Sequence, residues 1–231
     1  MSSIKLDLHL HTVYSGDSLI KPSDLINISL KKGLNGFAIT DHATLKAYNL
    51  IKKIAINKNL IVIPGMEIET HMGEVIALFL NDEIDLKDNN FFNVVEQIKE
   101  QNGLVLIPHP FDFLRPNHLK LDLISDEIIK KYLDGIEIIN SRIIFKNCVK
   151  KAKKFNKTHD LFETGGSDAH TLKEIGNGYT LINDPTDLSL ESIYECLKSR
   201  KSKSGGQLSS PLVHAITILN KFQKGLYFFN K

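Results

Sequence analysis

The 231-residue chain predicts an α/β fold built as a closed or nearly closed barrel, and three observations carry that prediction. Short apolar runs alternate with amphipathic stretches along most of its length, the pattern of repeated βα units. The runs are rich in Ile, Val and Leu, as strands buried on both faces require. Ligand-type side chains stand at the end of one run after another: Asp7, His9 and His11; Asp41 and His42; Glu67 and Glu69; His109; Asp168 and His170. In a barrel of parallel strands all carboxyl ends open on one rim, so such groups converge. An open doubly wound sheet would gather them only at one switch point.

Taken in order, strands are expected at residues 4–10, 36–40, 60–64, 103–108, 135–139, 161–165 and 178–182. Polar–apolar spacing near 3.6 places helices at 22–32, 45–57, 91–101, 126–133, 143–155 and 190–199. Pro22 suits a helix start and Gly33 its stop. Residues 75–80 form an extra apolar run after a turn-like 70–73, so a hairpin or a continued strand is expected there. Residues 200–210 (RKSKSGGQLSS) are the only linker-like stretch. The expected organisation is therefore one barrel over 1–200, followed by a C-terminal tail over 201–231 whose helix, at 212–224, packs on the barrel.

Hydrophobic content of 42% and charged content of 24% are those of an ordinary globular chain. A net charge of +2 provides no broad basic field, so no stable nucleic-acid complex is expected. The chain has no apolar run long enough for a membrane span. Its first residues pass directly into a strand, which leaves no room for a signal peptide. Cys148 and Cys196 lack metal-type spacing and read as small buried residues. A cytoplasmic protein is expected. Neither a P-loop nor a G-x-S-x-G elbow is present, so kinase and serine-hydrolase chemistry have no visible basis.

Alternation puts Asp7, His9 and His11 on one strand face, with successive Cα atoms about 6.6 Å apart. Two imidazoles at that spacing can lean onto one ion, and Asp7 is expected to orient one of them. Asp17 lies in the loop after this strand. His109 is held between two prolines, and Asp168 and His170 follow the Gly165–Gly166 pair. Imidazole nitrogens and carboxylate oxygens suit Zn, Mn or Fe. Glu69 is either an aid to these ligands or solvated. Glu137 and Asn140, at the end of the 135–139 run, are expected to face the mouth of the site and touch substrate or support ligands. Arg115 and Arg142 sit on loops beyond strand ends, where a guanidinium can clamp phosphate bidentately. His118, His159 and His214 have no ligand-like neighbours, and the lysine-rich 150–157 stretch reads as a solvated helix end.

The ordered set formed by HxH at 9–11, TDH at 40–42, GxE at 65–67, HP at 109–110 and DxH at 168–170 resembles the PHP (polymerase and histidinol phosphatase) superfamily. The resemblance spans roughly residues 4–185. It implies a distorted (βα)7 TIM-like barrel holding two or three divalent metal ions (Mn, Fe or Zn). Carried over by position, the first metal takes His9, His11, Glu67 and Asp168. Glu67 bridges to a second metal that also takes His109, and the third takes Asp17, His42 and His170. Where the family usually supplies a histidine to the second metal, this chain has Gly73–Glu74. Either Glu74 serves with carboxylate oxygen, which favours Mn or Fe over Zn, or His71 compensates from the turn.

The implied function is hydrolysis of a phosphomonoester, of a small molecule or a nucleotide, by metal-activated hydroxide. Arg115 would stabilise the transferred group, and Asp17 or His170 would help protonate the leaving group. A non-catalytic structural or RNA-binding subunit is the alternative, but such a module should lack ligands and be basic. C–N hydrolysis in the manner of amidohydrolases is a third reading, and no lysine stands where its bridging residue is expected.

Overall fold

The computed structural model describes residues 3–210 and 213. Its strands and helices follow in the order β1 (Ile4–Asp7), α1 (Pro22–Lys31), β2 (Gly36–Ile39), α2 (Lys46–Ile56), β3 (Ile61–Thr70), β4 (Gly73–Leu78), α3 (Phe91–Glu100), β5 (Leu104–Ile107), α4 (Asp126–Tyr132), β6 (Gly135–Asn140), α5 (Lys146–His159), β7 (Phe162–Gly166), β8 (Gly178–Ile182), α6 (Leu190–Lys198) and β9 (Ser202–Gly206). Among the described residues these strands form one sheet in the order β7-β6-β5-β4-β3-β2-β1-β8-β9. Strands β1 to β3 run parallel, as do β5 to β7. Between the two sets, β3 and β4 form an antiparallel hairpin, and β4 is also antiparallel to β5.

The sheet curls until its two parallel sets meet. Beyond the end of β1, Leu10 bridges Ala169 in parallel. The Asp168 amide donates to the His9 carbonyl at 2.7 Å, and the His11 amide to the Ala169 carbonyl at 3.0 Å. The barrel thus closes at its carboxyl rim, which is where the ligand-type residues stand. At the opposite end β8, antiparallel to β1, and β9 fill the gap. There the Gly165 amide donates to Thr180 Oγ1 at 2.9 Å, and the Ser202 hydroxyl donates to the Glu163 carbonyl at 2.7 Å. A Cβ at Gly178 would run into the Gly166 carbonyl oxygen, so this approach needs glycine. The result is a distorted TIM-like barrel.

Strand faces are apolar on both sides. Ile4, Leu6 and Leu8 pack with Ile61, Ile63, Ile76 and Leu106 and are met by Ile193 and Leu197 of α6. Phe37, Ile39 and Val62 face the other way, onto Leu25 of α1 and Ile51 of α2. Burying both faces explains why these runs read as continuous hydrophobic stretches rather than alternating ones.

Two expectations are corrected. The 200–210 stretch expected to be linker contains β9, so the sheet runs past residue 200. Its Ser and Gly residues are held by the ladder to β8, and Gly205 lets the Tyr179 ring lie close, where a Cβ would collide with it. The strands are also not all parallel: β8, at the expected 178–182, runs antiparallel to β1, and the 75–80 run folds back as β4, one of the two outcomes expected there. The helix expected at 212–224 lies, apart from Val213, outside the described residues. Among the described residues no helix is long and apolar enough to cross a membrane.

Candidate metal centre

The chain turns after Asp7, so that Leu8 and Leu10 pack into different cores. This swing brings the imidazoles of His9 and His11 together, Nε2 to Nε2 at 3.1 Å. Glu67, delivered by β3, stands between them. Its Oε1 is 3.4 Å from His9 Nε2 and 3.1 Å from His109 Nε2. Its Oε2 is 3.2 Å from His11 Nε2 and 3.6 Å from His42 Nδ1. Asp168 Oδ1 lies 3.7 Å and 3.5 Å from the same two Nε2 atoms of His9 and His11. Glu74 Oε2 reaches His109 Nε2 at 3.4 Å. At the far edge, Asp17 Oδ2 is 3.3 Å from His170 Nε2 and 3.7 Å from His42 Nε2. Nine ligand-type residues from six strand ends and loops therefore converge on one point of the rim.

Four compact sets share members: His9, His11 and Glu67; Glu67, Glu74 and His109; His11, Asp17 and His42; His11, Asp168 and His170. The donors are imidazole nitrogens and carboxylate oxygens, the chemistry of a divalent cation site. Asp168 Oδ1 is buried, makes no hydrogen bond and faces the imidazoles of His9, His11 and His170. A buried carboxylate oxygen so placed fits a cation.

These side chains are themselves held. His9 Nδ1 is 3.1 Å from Glu137 Oε1, while Glu137 Oε2 accepts from the His109 amide at 2.7 Å and Asn140 Nδ2 at 2.9 Å. Asn140 Nδ2 also reaches Asp168 Oδ2 at 3.1 Å. Residues three apart on a strand point to opposite faces, but the register of β6 slips between Glu137 and Ile139 and brings the pair together. The expected contact of Glu137 and Asn140 with substrate is thereby corrected: both are buried beneath the ligands and neither lines the cavity. On the other side, His11 Nδ1 meets Ser15 Oγ at 2.9 Å, and the Ser15 hydroxyl donates to Asp41 Oδ1 at 2.9 Å. With Ser15 donating to Asp41, His11 donates through Nδ1, so Nε2 is the atom it turns to the cluster. The roles of Ser15 and Asp41 escaped the sequence reading, although Asp41 sits inside the TDH motif.

A family model described as PHP domain matches residues 7–159, and one described as PHP-associated matches 149–202. The chain belongs to the PHP domain family. A protein of Methanocaldococcus jannaschii, itself uncharacterised, is 33% identical to this PHP domain over 201 residues, 84% of this chain and 79% of that one. One from Caldicellulosiruptor bescii, named probable phosphatase, is 25% identical over 203 residues, 75% of this chain and 82% of the other. The fold is shared with a two-domain protein from Bacteroides vulgatus, named as containing a predicted PHP-like metal-dependent phosphoesterase. The TM-score is 0.76 at 22% identity, over 89% of this chain and 65% of that one.

Within this PHP domain one further expectation changes and two open alternatives are narrowed. Asp7 orients no imidazole; its carboxylate accepts from the backbone amides of Ser167 and Gly176, both at 2.9 Å, because the chain turns away after it. His71 does not compensate at the second metal position, since its Nδ1 accepts from the Phe91 amide at 3.0 Å and caps α3. Glu69 is exposed. His109 and Asp168 both hold left-handed backbone, at φ 29° and 52°. Non-glycine residues adopt this conformation only when their surroundings enforce it.

A cavity of about 360 Å³ opens beside the cluster, lined by Asp17, His42, Glu74, Arg115, Arg142 and His170 among others. Arg115 pairs with Asp168 and, through Nε at 3.3 Å, with Asp112. His170 Nδ1 lies 2.8 Å from the Asp168 carbonyl oxygen and so must donate to it. Nε2 then presents a lone pair, which suits a ligand and not the leaving-group acid expected of His170.

Burial opposes charge throughout, yet the Glu67 carboxyl is held well below its usual range by the His9 charge and by hydrogen bonds from His109 and His11. Burial works against the His9 and His11 charges too. The carboxylates Glu137, Asp168 and Glu67 nonetheless lift His9 well above its usual value, and Asp168 and Glu67 lift His11 to about 9. Burial, together with the Glu67 charge, pushes Glu74 up to about 8. Burial depresses His170 to about 4 despite its Asp17 partner.

Protons on these groups compete with a metal. Manganese affinity is therefore expected to tighten with rising pH until Glu74 and His11 have titrated, at about 8 and about 9. In the metal-free protein these raised values stabilise the fold at low pH. Glu74's share is complete below 4.5 and lost as pH rises through about 8. Titration calorimetry across that range measures the affinity, and a flat pH profile would contradict the assignment.

Proposed function

We propose that this PHP domain is a metal-dependent phosphomonoesterase acting on a small phosphate ester or a nucleotide. The observation that carries the reading is Glu67 set between His9, His11 and His109 next to a cavity lined by two guanidiniums. His9, His11, Glu67 and Asp168 would hold one divalent ion, Glu67, Glu74 and His109 a second, and Asp17, His42 and His170 a third. Bound there, such ions neutralise phosphate oxygens and acidify water toward a nucleophile near neutral pH. Glu137 and Asn140 keep His9, His109 and Asp168 in place, and Ser15 with Asp41 does the same for His11. Arg115 and Arg142 bind the phosphate oxygens that point away from the cluster, and Arg115 also stabilises charge as the ester bond breaks. Asp17 and His170 serve as ligands at the outer edge.

Glu74 supplies oxygen where the related motif has a histidine, which favours manganese or iron over zinc. Replacing it by histidine (Glu74→His) is expected to shift preference toward zinc, read by metal competition. An unchanged preference would count against Glu74 as a ligand. The function itself is tested by phosphate release from a panel of sugar, nucleoside and aryl phosphates, with Mn, Fe or Zn returned after chelation. Release that needs the metal supports the proposal, and silence across the panel with every metal sinks it.

A further inference from the structure

We propose that Glu174 is a positioning residue that holds the Arg142 guanidinium at the cavity wall as a phosphate-binding group. The inference rests on the phosphomonoesterase reading and assigns the group that anchors the ester's phosphate. Glu174 lies between β7 and β8, four residues after His170, and is 1% exposed. Its Oε2 accepts from the His170 amide at 3.2 Å and from the Thr171 amide and hydroxyl, both at 2.9 Å. That is a local Thr-x-x-Glu capping arrangement, and one oxygen suffices for it. The other oxygen, Oε1, is buried without a hydrogen bond and stands 3.5 Å from Arg142 Nε.

Arg142 is 5% exposed, yet it lines the cavity alongside Asp17 and His170. Its backbone amide donates to Asn140 Oδ1 at 2.9 Å, and Asn140 in turn touches Asp168. The arginine is thus tied at its backbone to one ligand's neighbour and at its guanidinium to the residue that holds another ligand's amide. A buried ion pair is a poor source of stability, because desolvation offsets most of its attraction. Capping would be met equally well by a neutral glutamine. The charge on Glu174 therefore answers to Arg142. Holding a long arginine in one conformation reduces the ordering that an anion must impose when it binds.

Glu174→Gln keeps the capping acceptor and removes the charge, so it separates the two roles. Inorganic phosphate binding to the manganese-loaded full chain is measured by calorimetry for Glu174→Gln, Arg142→Gln and the double variant. Glu174→Gln is expected to weaken phosphate binding about tenfold. The double variant should bind no more weakly than Arg142→Gln alone, because the two residues act as one unit. Manganese affinity should not change, while the unfolding midpoint should fall, because the buried Arg142 guanidinium loses its partner. With p-nitrophenyl phosphate as substrate, KM should rise while kcat stays within about twofold.

Three results would overturn the assignment: wild-type phosphate affinity in Glu174→Gln, losses that add in the double variant, or manganese affinity falling in parallel. If the wild type releases phosphate from no ester but phosphate binding follows the expected pattern, the phosphomonoesterase reading fails and the role of Glu174 stands. Normal turnover and phosphate binding in Glu174→Gln would sink the role of Glu174 alone.

Discussion

Replacing Glu67 by glutamine is expected to lower phosphate release by about 10²-fold or more while the protein still folds. Among the described residues, Glu67 is the one side chain whose two oxygens face four imidazoles, those of His9, His109, His11 and His42. Glutamine has nearly the same shape, so packing survives, but one oxygen becomes an amide nitrogen that cannot ligate a cation. Residues that merely orient a ligand typically cost 10–100-fold when lost. A carboxylate placed to hold two ions, as proposed for Glu67, should cost at least as much. His9→Ala and Asp168→Ala are expected to fall in the same range. Undiminished phosphate release in purified, folded Glu67→Gln would remove this cluster from the chemistry.

Returning manganese to chelated protein is expected to raise the unfolding temperature by about 5–10 °C. A ligand at roughly 100 times its Kd adds about 2.7 kcal/mol to the folded state, and a chain of this size gains about 2–4 °C per kcal/mol. The physical origin is visible in the cluster. Glu67, Glu74 and Asp168 press together there, and without metal the strain falls on Glu74, whose carboxyl is pushed up to about 8 first by burial and then by the Glu67 charge. Glu74→Gln should accordingly stabilise the metal-free protein at neutral pH and shrink the gain on adding manganese. Calorimetric melting of both proteins with and without manganese tests the pair of effects. Equal melting temperatures with and without the ion in the wild type would contradict them.

Much of this molecule was legible in its sequence, for identifiable reasons. The helices from α1 to α6 follow from apolar spacing, and their ends move by only a few residues because fraying ends carry little of that signal. The convergence of His9, His11, His42, Glu67, His109, Asp168 and His170 was legible because each follows an apolar run, and the carboxyl ends of strands share one rim. What stayed hidden depends on partners far away in the chain. Strand β9 is Ser-Lys-Ser-Gly-Gly, a composition with no strand propensity, and only its ladder to β8 defines it. The β6 slip that turns Glu137 and Asn140 under the ligands leaves no mark in the local pattern. Asp7 looked like an aid to a histidine because alternation was extended past Asp7, whereas the strand ends there and the carboxylate serves amides about 160 residues away. Ser15 reads as an ordinary loop serine until Asp41 and His11 are seen on either side of it.

The central claim is that residues scattered from His9 to His170 build one multinuclear cation site. Its most direct test is the number of manganese ions bound per chain, titrated by calorimetry into chelated protein and repeated with Glu67→Gln. Two or three ions in the wild type, with at least one lost in the variant, is the predicted result. Fewer than one ion per wild-type chain, or the same stoichiometry in both proteins, would contradict it.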